Sequence, residues 1–160
     1  MTEAQLPDAA AIRAQLEATH AQFHELFGSL TDADWQRRPA EGWSVREEMW
    51  HIAWAPGFLG GVIERLIRGK GYHRPARYFH GKNNLRTRWH GRRATPQSIA
   101  ANYEAGHQRL LAGLERMSAA DWGRGAKRLG TYRTPEAMFQ AVSRHFETHA
   151  AAVRAKLGCA

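Results

Sequence analysis

Residues 139–153 read FQAVSRHFETHAAAV and set His145 and His149 four apart in a segment that otherwise has the pattern of an amphipathic helix. At about 100° per residue, both rings fall within about 20° of Met138 around the helix axis. That is the middle of the apolar stripe of Met138, Val142, Phe146 and Val153. A buried imidazole is costly unless both of its nitrogens find partners. One solution is chemical: two rings one turn apart can converge on a single metal ion. The other is a pair of core histidines bonded to polar groups of neighbouring helices.

An ion left open for chemistry needs about three protein ligands. His51 is the strongest third ligand, two turns beyond a capped helix start, with Trp50 and Trp54 beside it to shield a pocket. Imidazole ligands suit zinc first, with nickel, iron, manganese or copper as further options. Glu48 and Glu104 are the candidate carboxylates for proton transfer. His20 and His24 share the i, i+4 spacing but fall at the edge of their helix's stripe, so they read as boundary or solvated residues. His107 is likewise an edge residue, and His73, His80 and His90 lie in a basic linker.

Four helical patterns position these groups. The first spans about 8–28, with Ile12, Leu16, Thr19, Phe23 and Leu26 in its stripe. The second spans 44–68 and opens on Ser44 with Glu47 three residues later, a capping box. Pro56 lies within it and predicts a kink just after His51. The third spans 96–118 and the fourth 134–157; each opens on Thr-Pro, a cap followed by proline at the first helical position. No segment shows strand alternation, so the expectation is an all-α four-helix bundle over residues 1–160 as one domain. The linker 69–94 is long and predicts an irregular, functional segment between the second and third helices. LTDADWQRRP (30–39) before the second helix echoes MSAADWGRGA (117–126) before the fourth, as a duplicated helical hairpin or a chance recurrence would.

Composition narrows the class. The chain of 160 residues has a net charge of +8, with 23 Lys and Arg against 15 Asp and Glu. Ten of those cations lie between Glu64 and Glu104, where there is no acidic residue, leaving thirteen basic against fifteen acidic residues elsewhere. The basic character is therefore local. Within it, Arg86, Arg88, Trp89, Arg92 and Arg93 are the residues expected to contact an anionic substrate. The single cysteine, Cys159, cannot form an internal disulfide, and the N-terminus carries no signal-like apolar run. The greasiest stretch, HIAWAPGFLGGVI, is short for a membrane span. These features point to a cytoplasmic protein without a membrane partner.

Trp43-Ser44-Val45-Arg46-Glu47-Glu48-Met49-Trp50-His51 resembles the WSxxExxxH start of helix two in the DinB/YfiT superfamily, and His145-xxx-His149 resembles its HxxxH on helix four. The resemblance covers nearly the whole chain. It implies a four-helix bundle in up-down-down-up order, a three-histidine divalent metal site at His51, His145 and His149, and often a homodimer. The superfamily includes S-transferases that use low-molecular-weight thiols such as bacillithiol or mycothiol. The expected function is a metal-dependent S-transferase or hydrolase acting on a small substrate. Two other readings stand beside it: nucleic-acid binding through the basic segment 65–103, less favoured, and a stress-associated structural protein whose metal only staples helices. HIAWAPGFLGG, directly after His51, departs from the family pattern, and its Pro-Gly pair is expected to reshape the pocket wall.

Overall fold

The computed structural model describes residues 6–39, 41–71 and 75–158. Tyr72, His73, Arg74 and Cys159 lie outside them. The elements, in chain order, are α1 (Ala9–Ser29), α2 (Asp32–Gln36), α3 (Val45–Ile67), α4 (Ala76–Gly91), α5 (Pro96–Glu115), α6 (Ala119–Trp122), β1 (Ala126–Arg128), β2 (Thr131–Arg133) and α7 (Pro135–Leu157). Four long helices, α1, α3, α5 and α7, follow the four sequence patterns within a few residues.

Their ends form where the side chains can satisfy free backbone groups. Asp8 accepts from the amides of Ala10 and Ala11. Ser44 and Glu47 close a reciprocal capping box at the start of α3, and Thr95 and Ser98 do so for α5. Thr134 caps α7, with Pro135 at its first position. Gly158 ends α7 at φ 76°, a conformation that glycine adopts without steric cost.

The apolar stripes meet in two clusters. One joins Ile12 and Leu16 to Leu59, Ile63, Leu66, Leu110, Leu114, Phe139 and Val142. The other joins Phe23 and Leu26 to Val45, Met49, Ile52, Ile99, Tyr103, Phe146 and Val153. Between them runs a polar layer. There Thr19 Oγ1 and Ser143 Oγ share a buried hydrogen bond of 2.7 Å, and Tyr103 donates to the carbonyl of Thr19 at 3.4 Å. Each buried hydroxyl thus has the partner that burial demands.

Two expectations are corrected. The linker is not irregular throughout: its residues 76–91 form α4. Apolar periodicity is weak there, and the helix is held instead by tertiary contacts, with Thr87 and Gly91 buried against α3 and Trp43 Nε1 donating to Asn84 Oδ1 at 2.7 Å. A short hairpin, β1–β2, also occurs, turning through Leu129 and Gly130 at φ 51° and 84°. Pro56 lies within α3, and the Pro-Gly pair packs against α5. A Cβ on Gly106 of α5 would lie 2.6 Å from Gly57 N and 3.0 Å from Pro56 Cβ.

The Asp-Trp echo has a structural counterpart. α2 and α6 are each one short helix, capped by Thr31 with Asp34 and by Ser118 with Asp121, and each buries its tryptophan, Trp35 or Trp122. Arg37, just past α2, donates to the carbonyl of Lys156 at the end of α7 at 3.0 Å. Arg124, just past α6, donates to the carbonyl of Ile67 at the end of α3 at 2.9 Å.

Candidate metal centre

His51 from α3 and His145 and His149 from α7 meet at the inner face of the bundle. Their ligand atoms all lie within 4.8 Å of one another. Nε2 of His51 and Nε2 of His145 are 2.9 Å apart. His51 is buried, and the two α7 histidines are partly buried. The α7 spacing brings two rings to one point because residues four apart stack along one helix face.

Two of the three outer nitrogens have partners on the protein. His149 Nδ1 donates to Glu48 Oε2 at 2.8 Å, and Lys156 Nζ donates to Glu48 Oε1 at 2.9 Å. Burial raises the Glu48 carboxyl pKa, but the bonds from His149 and Lys156 outweigh it and hold the group below the usual carboxylate range. An ionised Glu48 only accepts, so the Nδ1 proton of His149 is settled and its Nε2 lone pair is left free. His51 Nδ1 meets the hydroxyl of Thr87, which can donate or accept, at 3.2 Å. Burial, reinforced by the neighbouring His145 and His149, drives the His51 pKa down to about 2. Burial, with His149 beside it, lowers that of His145 to about 4. Both rings are therefore neutral at physiological pH, the form that binds a metal. Converging imidazole nitrogens with oriented outer nitrogens form a donor set that fits a divalent ion of the zinc type.

The histidines open onto a cavity of about 280 Å³ lined by Trp54, Ala55, Phe58, Leu59, Phe79, His80, Asn83, Arg128 and Met138. Trp43 lies nearly parallel to the His149 ring, 5.7 Å away and at 15°, and Trp54 stacks on His51 at 5.7 Å. Trp54 lines the cavity; Trp50 does not, and stacks between Trp54 at 6.1 Å and His90 at 5.3 Å. The guanidinium of Arg128, on β1, covers Phe58 and Phe79 at 5.4 and 4.9 Å.

The residues singled out in the sequence fall in different places. Glu48 touches the cluster through His149. Glu104 does not line the cavity; it is bonded to His20 and His24 on the opposite pair of helices, α1 and α5. Arg86 packs over Trp54 at 5.1 Å and so borders the site. Arg88 and Arg92 line a separate polar hollow with Arg38, Ser44 and Glu47. Arg93 covers the exposed ring of Trp89 at 3.8 Å. His80, Asn83 and Arg128 join the site without having been expected there. No sequence signal marks Asn83 or Arg128, because α4 and the hairpin have no strong periodicity.

A family model for the DinB superfamily matches residues 7–153. No curated protein and no solved structure matches the chain. The family match includes all three histidines. Among the described residues, no helix is long and apolar enough to cross a membrane.

Proposed function

The chain belongs to the DinB superfamily, and from that premise we propose that it is a metal-dependent enzyme whose divalent ion is held by His51, His145 and His149. The observation that carries this reading is the convergence of three imidazoles on a cavity while Glu48 and Thr87 orient the outer nitrogens of two of them. Such an ion, when bound, lowers the pKa of a coordinated water or thiol and so supplies a nucleophile at neutral pH. The chain's own residues do the rest. Glu48 holds the proton at His149 Nδ1. Phe58, Leu59, Phe79 and Met138 exclude water from one side of the cavity. Arg128 and Arg86 give its border a positive potential suited to an anionic small substrate or thiol.

The substrate class this favours is a small electrophile attacked by a low-molecular-weight thiol, or a small ester or amide attacked by water. The contacts also support the up-down-down-up order. Gly57 against Gly106 and Glu64 with Arg109 climb together along α3 and α5. Arg13 with Glu115 and His20 with Glu104 run in opposite senses along α1 and α5. The homodimer that the family resemblance implies would use the outer face of α4, where Leu85 and Trp89 are exposed one turn apart.

Elemental analysis of the purified protein, followed by a thiol-consumption screen with and without the identified metal, tests the reading. Each of His51→Ala, His145→Ala and His149→Ala should remove tightly held metal and the metal-dependent activity together. Full retention of that metal in the His145→Ala, His149→Ala double variant would leave two core histidines with a packing role only.

A further inference from the structure

A second set of ligand atoms converges on the other side of the bundle, remote from the histidines of α3 and α7 along the chain and in its helix pair. His20 and His24 project from adjacent turns of α1, and Glu104 reaches them from α5. Glu104 Oε1 lies 2.9 Å from His20 Nε2 and 2.7 Å from His24 Nε2, and the two nitrogens are 3.2 Å apart. Glu104 Oε2 is also within 3.1 Å of His20 Nε2.

Protons alone leave one edge of this triangle unfavourable. The carboxylate oxygen only accepts. If both nitrogens donate to it, two N–H groups face each other across 3.2 Å. If one nitrogen accepts from the other, its lone pair faces the carboxylate at 2.7 or 2.9 Å. Every assignment sets like against like along one edge. A cation at the centre satisfies all three edges at once. A tetrahedral ion with bonds near 2.0–2.1 Å holds its ligand atoms about 3.3 Å apart, so only a small outward shift is needed to admit one. Burial raises the Glu104 carboxyl pKa, but the bonds from His20 and His24 hold it below the usual range, so the ligand is ionised.

The rings are also held in place. His107 stacks on His20 at 4.2 Å, and Tyr103 stacks on Phe23 at 3.6 Å directly beneath the cluster. We infer that His20, His24 and Glu104 form a second divalent-cation site, of the two-histidine, one-carboxylate type that takes zinc or a neighbouring first-row transition ion. The side chains of His24 and Glu104 are 46% and 41% exposed, so the remaining coordination positions face solvent and the ion exchanges readily. It ties α1 to α5, as the first site ties α3 to α7.

The test is a titration of chelator-stripped protein with Zn²⁺ alone, in competition with a chromophoric chelator. Two equivalents are expected, one tight and one at least tenfold weaker. The triple variant His20→Asn, His24→Asn, Glu104→Gln should lose only the weaker equivalent, and His145→Ala, His149→Ala only the tighter. The single variant Glu104→Gln, with helical content checked by circular dichroism, should weaken the second equivalent at least tenfold without moving the first. A wild-type protein that binds one equivalent, lost in the His145→Ala, His149→Ala variant, overturns the second site and leaves the first standing. Two equivalents retained by the triple variant overturn it as well. One equivalent lost only in the triple variant upholds it and refutes the α3–α7 site instead.

Discussion

Glu48 and His149 face each other from α3 and α7, with the carboxylate 2.8 Å from the ring's Nδ1 and only 7% of its side chain exposed. Such a carboxylate fixes which nitrogen of the ring is free. Glu48→Gln keeps the size of the side chain but offers an uncharged amide in place of a carboxylate. Metal affinity should fall by about 10–100-fold, the usual cost of losing a partner behind a ligand. Chelator competition measures it; an unchanged affinity would show that His149 is oriented by packing alone.

Acid sensitivity of the metal-free protein follows from the same cluster. The His51 and His145 pKa values are depressed from 6.5 to about 2 and about 4. As pH falls below 6.5, the unfolded chain takes up protons that the folded chain refuses. Stability is therefore undiminished above 6.5 and is lost as pH drops from there toward 4. The slope approaches about 1.4 kcal/mol per pH unit for each group. Urea midpoints of the metal-free protein between pH 7 and pH 4 should show this decline, and His145→Gln should flatten it. A flat wild-type profile would contradict the burial of these rings.

The arginines of the linker should separate by role. Replacing Arg86, Arg88, Arg92 and Arg93 by alanine should leave metal content unchanged, since none of them reaches the three histidines. Arg92→Ala alone should cost about 1 kcal/mol of stability, a figure kept small because the guanidinium is half exposed. Its bond to Glu47 supports a carboxylate that is only 5% exposed. Loss of metal in the quadruple variant would place the linker inside the site.

Two glycines of α5 should respond in opposite directions. A methyl group at Gly106 would meet Gly57 N at 2.6 Å, a backbone atom that cannot yield without moving a helix. Overpacking of about 1–3 kcal/mol should then exceed the gain in helix propensity of about 1 kcal/mol. A methyl group at Gly113 would meet nothing within 4 Å, so Gly113→Ala should stabilise. Thermal melts of the two variants check both signs.

The histidine cluster is legible in the sequence through periodicity: an ionisable pair in the centre of an apolar stripe is a local conflict that only a partner can resolve. Ser44, Thr95 and Thr134 likewise announce helix starts, because capping is a short-range interaction. What escapes is everything that depends on neighbours distant in sequence. Glu48 stands out as a candidate proton carrier, but its bonds to His149 and Lys156 cross from α3 to α7. α4 lacks an apolar stripe and is helical through what it rests on. The stripe-edge positions of His20 and His24 match their partial exposure, but a carboxylate 80 or more residues away cannot be matched to them from spacing.

The crossed arginines, Arg37 reaching the end of α7 and Arg124 the end of α3, have a consequence for descent. Each half of the chain finishes the last turn of the other half's long helix, as two copies of one ancestral hairpin facing each other would. Aligned from their caps at Ser44 and Thr134, α3 and α7 set Ala55 and Leu59 opposite His145 and His149. Ala55 and Leu59 line the cavity that those histidines open onto. On this alignment, the same two places carry imidazoles in one half of the chain and apolar side chains in the other. The pocket is thereby one-sided, with an imidazole-bearing wall and an apolar one.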